Sequence, residues 1–389
     1  MDQENLQSDQ SSRYPNLEIA QLKFKLSLPE YSNDEELKKK LLDIIIMEEM
    51  GPYYEIVSKD LGWTPQDKII QELKEKNATK LAELDKAIDD ALENLSTIDV
   101  KVAYLSKANY LCKIGDKENT IKALSQAYDN TVALGCKLEN VFKRMRLGLF
   151  FMDLELMHRS LQQGESLMEL GADWQSRNCF NFNKALHCIA IRDFGTATEL
   201  LVAAVTTFVC TEIMAYADFI KYTVLCGVLA LKRCDVKKQL IDNPDIQQAL
   251  HYNSTLKQYL FSLHECEYRL FYQRLADIEV MIKEDMLLHP HYRYYIKEMR
   301  IKAYDQLLST YMSVGICYMA GQFGVSEDFI EEEVSKFIAA GRLNYKIDKV
   351  SAKIVNVPLE KNSEVFKAVI KQGDLLLNRI HKLGRVINI

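Results

Sequence analysis

The sequence predicts an all-α protein: a right-handed, tetratricopeptide-like helical solenoid with a C-terminal winged-helix module and a terminal bundling helix. Three observations predict it. Apolar residues recur with helical period in nearly every segment. Two stretches in the middle of the chain share one punctuation, a helix pair with a turn between small facing residues. From Ile316 onward the chain reads as helix, turn, helix, hairpin, spacer and one long striped helix. These features divide the chain into a polar segment at 1–30, N-terminal helices at 31–98, a helical-repeat solenoid at 99–290, a winged-helix module at 291–357, and a spacer with a bundling helix at 358–389.

Along the N-terminal part, Ser32 with Glu35 has capping-box spacing ahead of LKKKLLDIIIMEEM, and Gly51-Pro52 is expected to end that helix. A long charged helix follows from Pro65 to about Leu95, striped by Leu81, Leu84, Ile88, Leu92 and Leu95. Its stripe lasts only about two heptads, too few for a sustained coiled coil, so it is expected to bridge two lobes. Beyond Asp99 the helix pairs begin. One has Gly115-Asp116 at its turn and Gly135 at its end; the next turns at Asp193-Phe194-Gly195. Ala108 with Ala123, and Ala190 with Ala197, would let each pair approach closely. Such an array makes surface rather than chemistry.

The winged helix follows from punctuation. One helix ends near Phe323, Gly324 permits the left-handed turn, and Ser326 caps an acidic second helix. That helix carries Phe329, Ile330, Val334, Phe337 and Ile338 on one face and stops at Gly341. LNYKI and SAKIVNV then form a two-strand wing around Asp348-Lys349. Charge argues against nucleic acid. The helix that would enter a groove shows Glu327, Asp328, Glu331, Glu332 and Glu333 against Lys336, whereas phosphate binding rests on Lys and Arg. Arg342, Lys346, Lys349 and Lys353 make the wing only mildly basic.

In the terminal helix Leu376, Ile380, Leu383 and Ile387 alternate at four and three, an a/d seam that Leu377 and Val386 broaden. Such a stripe either folds back on its own domain or joins a bundle with other chains. At the wing, an edge offered by Leu343, Tyr345, Ile347, Ile354 and Val355 would add a strand to a neighbouring sheet.

The strings HYRYYIKEMRIKAYDQLL, FIAAGRLNYKIDKV and GDLLLNRIHKLGRVIN carry a family likeness, with NLEIAQLKF, YLCKIGDKENTIKAL, RLGLFFMD and CIAIRDF extending it over nearly the whole chain. The chain resembles the non-ATPase regulatory subunit six family, PCI-domain subunits of the 26S proteasome lid. The resemblance implies a PCI module at the winged helix and a structural role in lid assembly and ubiquitin-dependent degradation. It implies a hetero-oligomer with other lid PCI subunits, the deubiquitinase-containing lid core and the regulatory-particle ATPases, in cytoplasm and nucleus. The chain departs from the family's pattern after the wing, where NVPLEKNSEVFKAV replaces an acidic-polar stretch, and at SRNCFNFNKALHC, as a diverged copy would. The alternatives are a PCI scaffold of the cullin-deneddylating signalosome and a PCI adaptor for nucleic acid.

Composition agrees. A chain of 389 residues, 48% hydrophobic, can bury a large core, and a net charge of -6 gives no reason to expect nucleic acid or anionic membrane. Nine cysteines without a CxxC pair read as buried free thiols in a reducing compartment. The polar start MDQENLQSDQSSRYP does not read as a signal peptide, and the apolar run at 200–209 is too short to span a bilayer.

No enzyme is expected, and no cofactor or metal. His289-Pro290-His291 is an HxH, but the eighth and eleventh residues beyond it are Met299 and Lys302, which cannot complete a zinc site. The proline more plainly breaks the chain before the next helix. His187-Cys188, adjacent on a helix, point about 100° apart, and His264 with Cys266 fails similarly. Gly321 and Gly324 make no phosphate loop. Asp89-Asp90 and Glu331 to Glu333 read as solvated faces or partner contacts. Tyr292, Tyr295, Met299 and Tyr304 share a helix face, a core seam rather than a base-stacking platform.

Overall fold

The computed structural model describes residues 14–63, 67–93, 97–356 and 361–387. It is helical throughout except for one small sheet, as the periodicity predicts. Its contacts divide the chain into two compact units: residues up to Glu265 with Leu270–Lys297, and Cys266–Arg269 with the residues from Glu298 on.

The first unit opens with α1 (Leu17–Ser27), α2 (Glu35–Met47) and α3 (Gly51–Asp60). Asp34, not Ser32, caps α2, its carboxylate accepting the N–H groups of Glu36 (3.0 Å) and Leu37 (3.5 Å). Glu35 is the first helical residue, so Ser32 lies outside the capping position, its hydroxyl donating to the Pro29 carbonyl. Gly51-Pro52 opens α3 instead of ending α2. Proline suits a first helical turn because its missing N–H would be unpaired there anyway. Ile19, Leu41, Ile45, Tyr53 and Val57 form the core of this corner.

The long charged helix α4 (Asp67–Glu93) is a packed member of the array, not a bridge. It packs on α3 and on α5 (Thr97–Ile114), burying Leu73, Asn77, Ile88 and Ala91, and Tyr110 donates to Asn77 Oδ1 (2.8 Å). Leu92 of the expected stripe is exposed, and Leu95 lies outside the described residues.

Between α5 and α6 (Lys117–Asp129), Gly115 takes φ +75°, and a Cβ there would lie 2.8 Å from Tyr53 Cβ, so the turn needs glycine. Asp116 caps α6 through Asn119 N–H, and Ala108 and Ala123 are buried at the crossing. Gly135 does not end α6, which stops at Asp129; it sits in the first turn of α7 (Leu134–Phe150). Next come α8 (Leu154–Glu169), α9 (Trp174–Ala190) and α10 (Phe194–Ala204). Asp193 caps α10 through Thr196 N–H, with Ala190 and Ala197 buried on the facing sides, the predicted punctuation. The array continues through α11 (Tyr216–Ala230), α12 (Arg233–Val236), α13 (Pro244–Leu250), α14 (Ser254–Glu265) and α15 (Tyr268–Lys283).

Two buried polar clusters hold the end of this unit. Asp285, 4% exposed, accepts from Tyr222 Oη (2.9 and 2.8 Å), pairs with Lys221 Nζ (2.9 Å) and accepts the N–H of Leu287 (3.0 Å). Tyr295 donates to the Leu225 carbonyl (3.0 Å) and meets Tyr259 Oη at 2.9 Å. The N-terminal helix reaches the same region: Gln21 Nε2 donates to the Glu284 carbonyl (2.6 Å) and Gln21 Oε1 accepts Met286 N–H (3.1 Å). Lys25 and Tyr31 close on the Glu284 carboxylate at 2.9 and 2.7 Å.

In the second unit, α17 (Ile316–Phe323) ends at Gly324 in the left-handed conformation (φ 69°), and Ser326 caps α18 (Glu327–Ala339). Ile330, Val334 and Phe337 are buried, whereas Phe329 remains 40% exposed. Phe337 packs against Tyr304 (6.2 Å) of α16 (Tyr292–Leu308), and Tyr304 also meets Phe323 (4.9 Å); Tyr295, Met299 and Tyr304 are buried, so this part of the expected seam is core, whereas Tyr292 is only half-buried. The wing, expected with two strands, has three: β1 (Ser313–Gly315), β2 (Tyr345–Asp348) and β3 (Lys353–Asn356), in the order β1-β3-β2, all antiparallel. Three residues are too few to show an alternation, which is why β1 escapes sequence pattern. The chain closes with α19 (Lys361–Ile387).

Candidate partner-binding surfaces

The wing offers two edges. β3 lies between β1 and β2, so Ile354 and Val355 cannot be edge residues: Ile354 faces Val314 on one side and Ile347 on the other. The open edges are β2, with Tyr345 and Ile347, and β1, which the sequence reading missed. Leu343, Tyr345 and Ile354 are buried and hold the wing onto its helices, whereas Val355 is partly exposed. Tyr345 also donates to Asp305 Oδ1 (3.0 Å), and burial, with the Asp305 charge, pushes its hydroxyl pKa up. What β2 can offer a neighbour is therefore backbone, with Ile347 half-buried beside it.

Acidic α18 is partly consumed within its own unit. Glu333 receives Arg300 and the Tyr304 hydroxyl, Glu332 pairs with Lys336 (2.6 Å), and Glu331 pairs with Lys349 (2.6 Å). Glu333, expected on a solvated face or in a partner contact, instead turns inward to a buried tyrosine and an arginine of its own chain. On the wing, Lys349 and Arg342 are engaged by Glu331 and Glu298. The basic surface left for phosphate is small.

α19 is the most unusual element. Every described residue from Val365 on is exposed except the half-exposed Gly373. Leu376 is 58% exposed, Ile380 60% and Leu383 59%, with Leu377 and Ile387 similar. The stripe is longer than the sequence seam, because the KNSE read as spacer is already helix. Val365, Phe366, Val369 and Ile370 therefore join it, and that polar start hid them from pattern reading. At about 100° per residue these side chains, with Leu376, Leu377, Ile380, Leu383 and Ile387, fall within roughly 140° of arc. Val386, expected to broaden the stripe, lies off that arc. Gly373 and Gly384 fall within it, where a partner helix could approach closely.

The candidate catalytic groups are occupied structurally. His289 Nδ1 meets the Lys283 carbonyl at 2.8 Å and His291 Nε2 the Ala190 carbonyl at 2.9 Å. Among the described residues no three His, Cys, Asp or Glu side chains gather as a metal site would require. His187 stacks on His158 (ring centroids 5.8 Å apart), and burial pushes the Cys188 thiol pKa up. Cys266 accepts Gln306 Nε2 (3.2 Å). Not all thiols are buried: Cys234 and Cys317 are exposed. No helix among the described residues is long and apolar enough to cross a membrane.

Three family models match successive parts of the chain. A family model described as 26S proteasome subunit RPN7 matches residues 66–239, the PCI domain model matches 275–357, and a model of the RPN7/PSMD6 C-terminal helix matches 367–387. The 26S proteasome non-ATPase regulatory subunit 6 of Dictyostelium discoideum is 39% identical over 377 residues, covering 97% of this chain and 98% of its own length. The Arabidopsis thaliana homologue is 39% identical over 98% of this chain and 99% of its own length. The Caenorhabditis elegans subunit is 38% identical over 100% and 97%. The winged helix read from residues 316–356 is thus a PCI domain, and the exposed final helix has a family model of its own. At this identity over nearly full length, the chain belongs to the family of 26S proteasome non-ATPase regulatory subunit 6, or RPN7.

Proposed function

We propose that the chain is a non-catalytic scaffold subunit of the 26S proteasome regulatory-particle lid, supporting lid assembly and ubiquitin-dependent degradation in cytoplasm and nucleus. The exposed stripe of α19 carries this reading. A two-stranded coiled coil needs only a narrow a/d seam, whereas a stripe of roughly 140° finds cover only between two or more helices. The helix therefore suits a multi-helix bundle supplied by other chains, and the family match favours the proteasome lid over the signalosome. The partners on this reading are other lid PCI subunits, the deubiquitinase-containing lid core and the regulatory-particle ATPases. The β2 edge adds a second attachment, pairing its outward backbone groups with a neighbour's strand. The acidity of α18 disfavours the nucleic-acid adaptor.

The test replaces Leu376, Ile380 and Leu383 together by Asp in a tagged chain. Lid subunits should vanish from the gentle-salt pull-down while thermal unfolding of the purified chain stays unchanged, because these side chains are already exposed. Undiminished recovery of lid subunits would refute the bundling role.

A further inference from the structure

The helical-repeat unit holds a lysine against a thiol. Lys101 of α5 donates from Nζ to Sγ of Cys136, in the first turn of α7, at 2.7 Å. Both side chains are half-buried, so a small oxidant can reach them. Separate contacts fix this approach. About two turns further on along both helices, Lys143 Nζ donates to Asn109 Oδ1 (2.7 Å), so α5 and α7 run parallel and are tied in one register. α7 is held in turn against α6: Arg144 donates to Ser125 Oγ (3.1 Å), and Lys137 lies over the Tyr128 ring (5.1 Å). Leu138, Val141 and Met145 anchor the same helix in the core. Lys137, next to Cys136 in sequence, is thus occupied by Tyr128, and Lys101 is the amine at the sulfur.

We infer that Lys101 and Cys136 form a peroxide-responsive pair that closes to an S–N sulfenamide link and staples α5 to α7. A sulfenic acid condenses with a nitrogen held beside it, and this nitrogen is already in hydrogen-bond contact with the sulfur. The reacting form of Cys136 is the thiolate. Its sulfur attacks hydrogen peroxide: the S–O bond forms, the O–O bond breaks, and the leaving hydroxide takes a proton from the Lys101 ammonium to become water. That transfer frees the amine beside the new sulfenic acid. The amine nitrogen then attacks sulfur: the S–N bond forms, the S–O bond breaks, and the hydroxyl leaves with an amine proton as the second water. The sulfur gives up two electrons, and one peroxide is reduced to two waters. A thiol reductant reverses the link by attacking sulfur and releasing the amine, and a second thiol then frees Cys136 from the mixed disulfide. Because α6 lies between the two residues in the chain, the link encloses a whole helix and locks α5, α6 and α7 together.

The full chain, reduced and desalted, is titrated with hydrogen peroxide until the exposed Cys234 and Cys317 begin to lose alkylation. It is then alkylated, digested without reductant by a protease that cleaves after glutamate, and mapped by mass spectrometry. The expected product is a linked pair of peptides holding Lys101 and Cys136, lighter by two hydrogens than the free pair, and dithiothreitol should return both peptides. Lys101→Arg keeps the charge but offers no amine, so the link should be lost and Cys136 should accumulate as a dimedone-trapped sulfenic acid. The proposal is overturned if Cys136 stays alkylatable while Cys234 and Cys317 oxidise, or if Cys136 of the wild-type chain is oxidised without Lys101 attached. The wild-type map decides the matter even should the Lys101→Arg chain fold poorly.

Discussion

Asp285 gathers a tyrosine hydroxyl, a lysine and a backbone N–H in a site that is nearly closed to water. Removing one member of a buried ion pair strands the other, at a cost of about 3–5 kcal/mol. Asp285→Ala should therefore lower the urea midpoint by a corresponding amount, with Asp285→Asn milder because its amide oxygen still accepts from Tyr222; a midpoint unmoved in both would remove Asp285 from the supports of the fold. His187 makes a pH prediction. Burial, and then the neighbouring His158, lower its pKa in the folded chain. The folded state thus resists a proton that the unfolded chain accepts at about pH 6.5. Stability should fall as pH drops through that value and level off below the folded pKa. His187→Gln, which cannot take up a proton, should flatten this limb of a thermal-unfolding profile between about pH 7 and 5. An identical acid limb in the variant would acquit His187.

At the scale of elements, helix ends set by a single residue were the most legible. Gly115, Asp193, Gly324 and Ser326 all act where their chemistry says, because left-handed turns and N-caps are local matters. Errors fell where two local signals competed. Ser32 lost its cap to Asp34, and Gly51-Pro52 opened α3 although it was expected to end α2. Long-range pairing was invisible. Nothing in Ser313–Gly315 announces a strand until β3 arrives beside it, and with it Ile354 and Val355 move from edge to centre. Of the candidate site, the heptad half of α19 was legible and the half beginning KNSE was not, since a polar first turn resembles a spacer. For this element, cutting the chain after Asn356 should leave the thermal unfolding of the remainder unchanged and abolish concentration-dependent self-association in sedimentation. The intact chain, with so long an apolar stripe uncovered, should show that association. An intact chain that sediments as a monomer at every concentration would count against a stripe that needs cover.

At the scale of the whole molecule, the described chain uses buried polar groups such as Asp285 and Tyr295 to hold helices together and leaves its longest stripe of exposed apolar side chains on one helix. The same extravagance appears in sequence distance. Gln21 and Glu284 are 263 residues apart along the chain, yet they are hydrogen-bonded. A ribosome adds roughly 5–20 residues per second, so the first helix emerges roughly 13–50 s before its distant partner exists. During that interval Gln21, Lys25 and Tyr31 have no Glu284 to meet. The last fastening of the first unit is thus scheduled by translation. A clone with rare codons ahead of residue 284 would lengthen the wait without changing one atom of the finished protein.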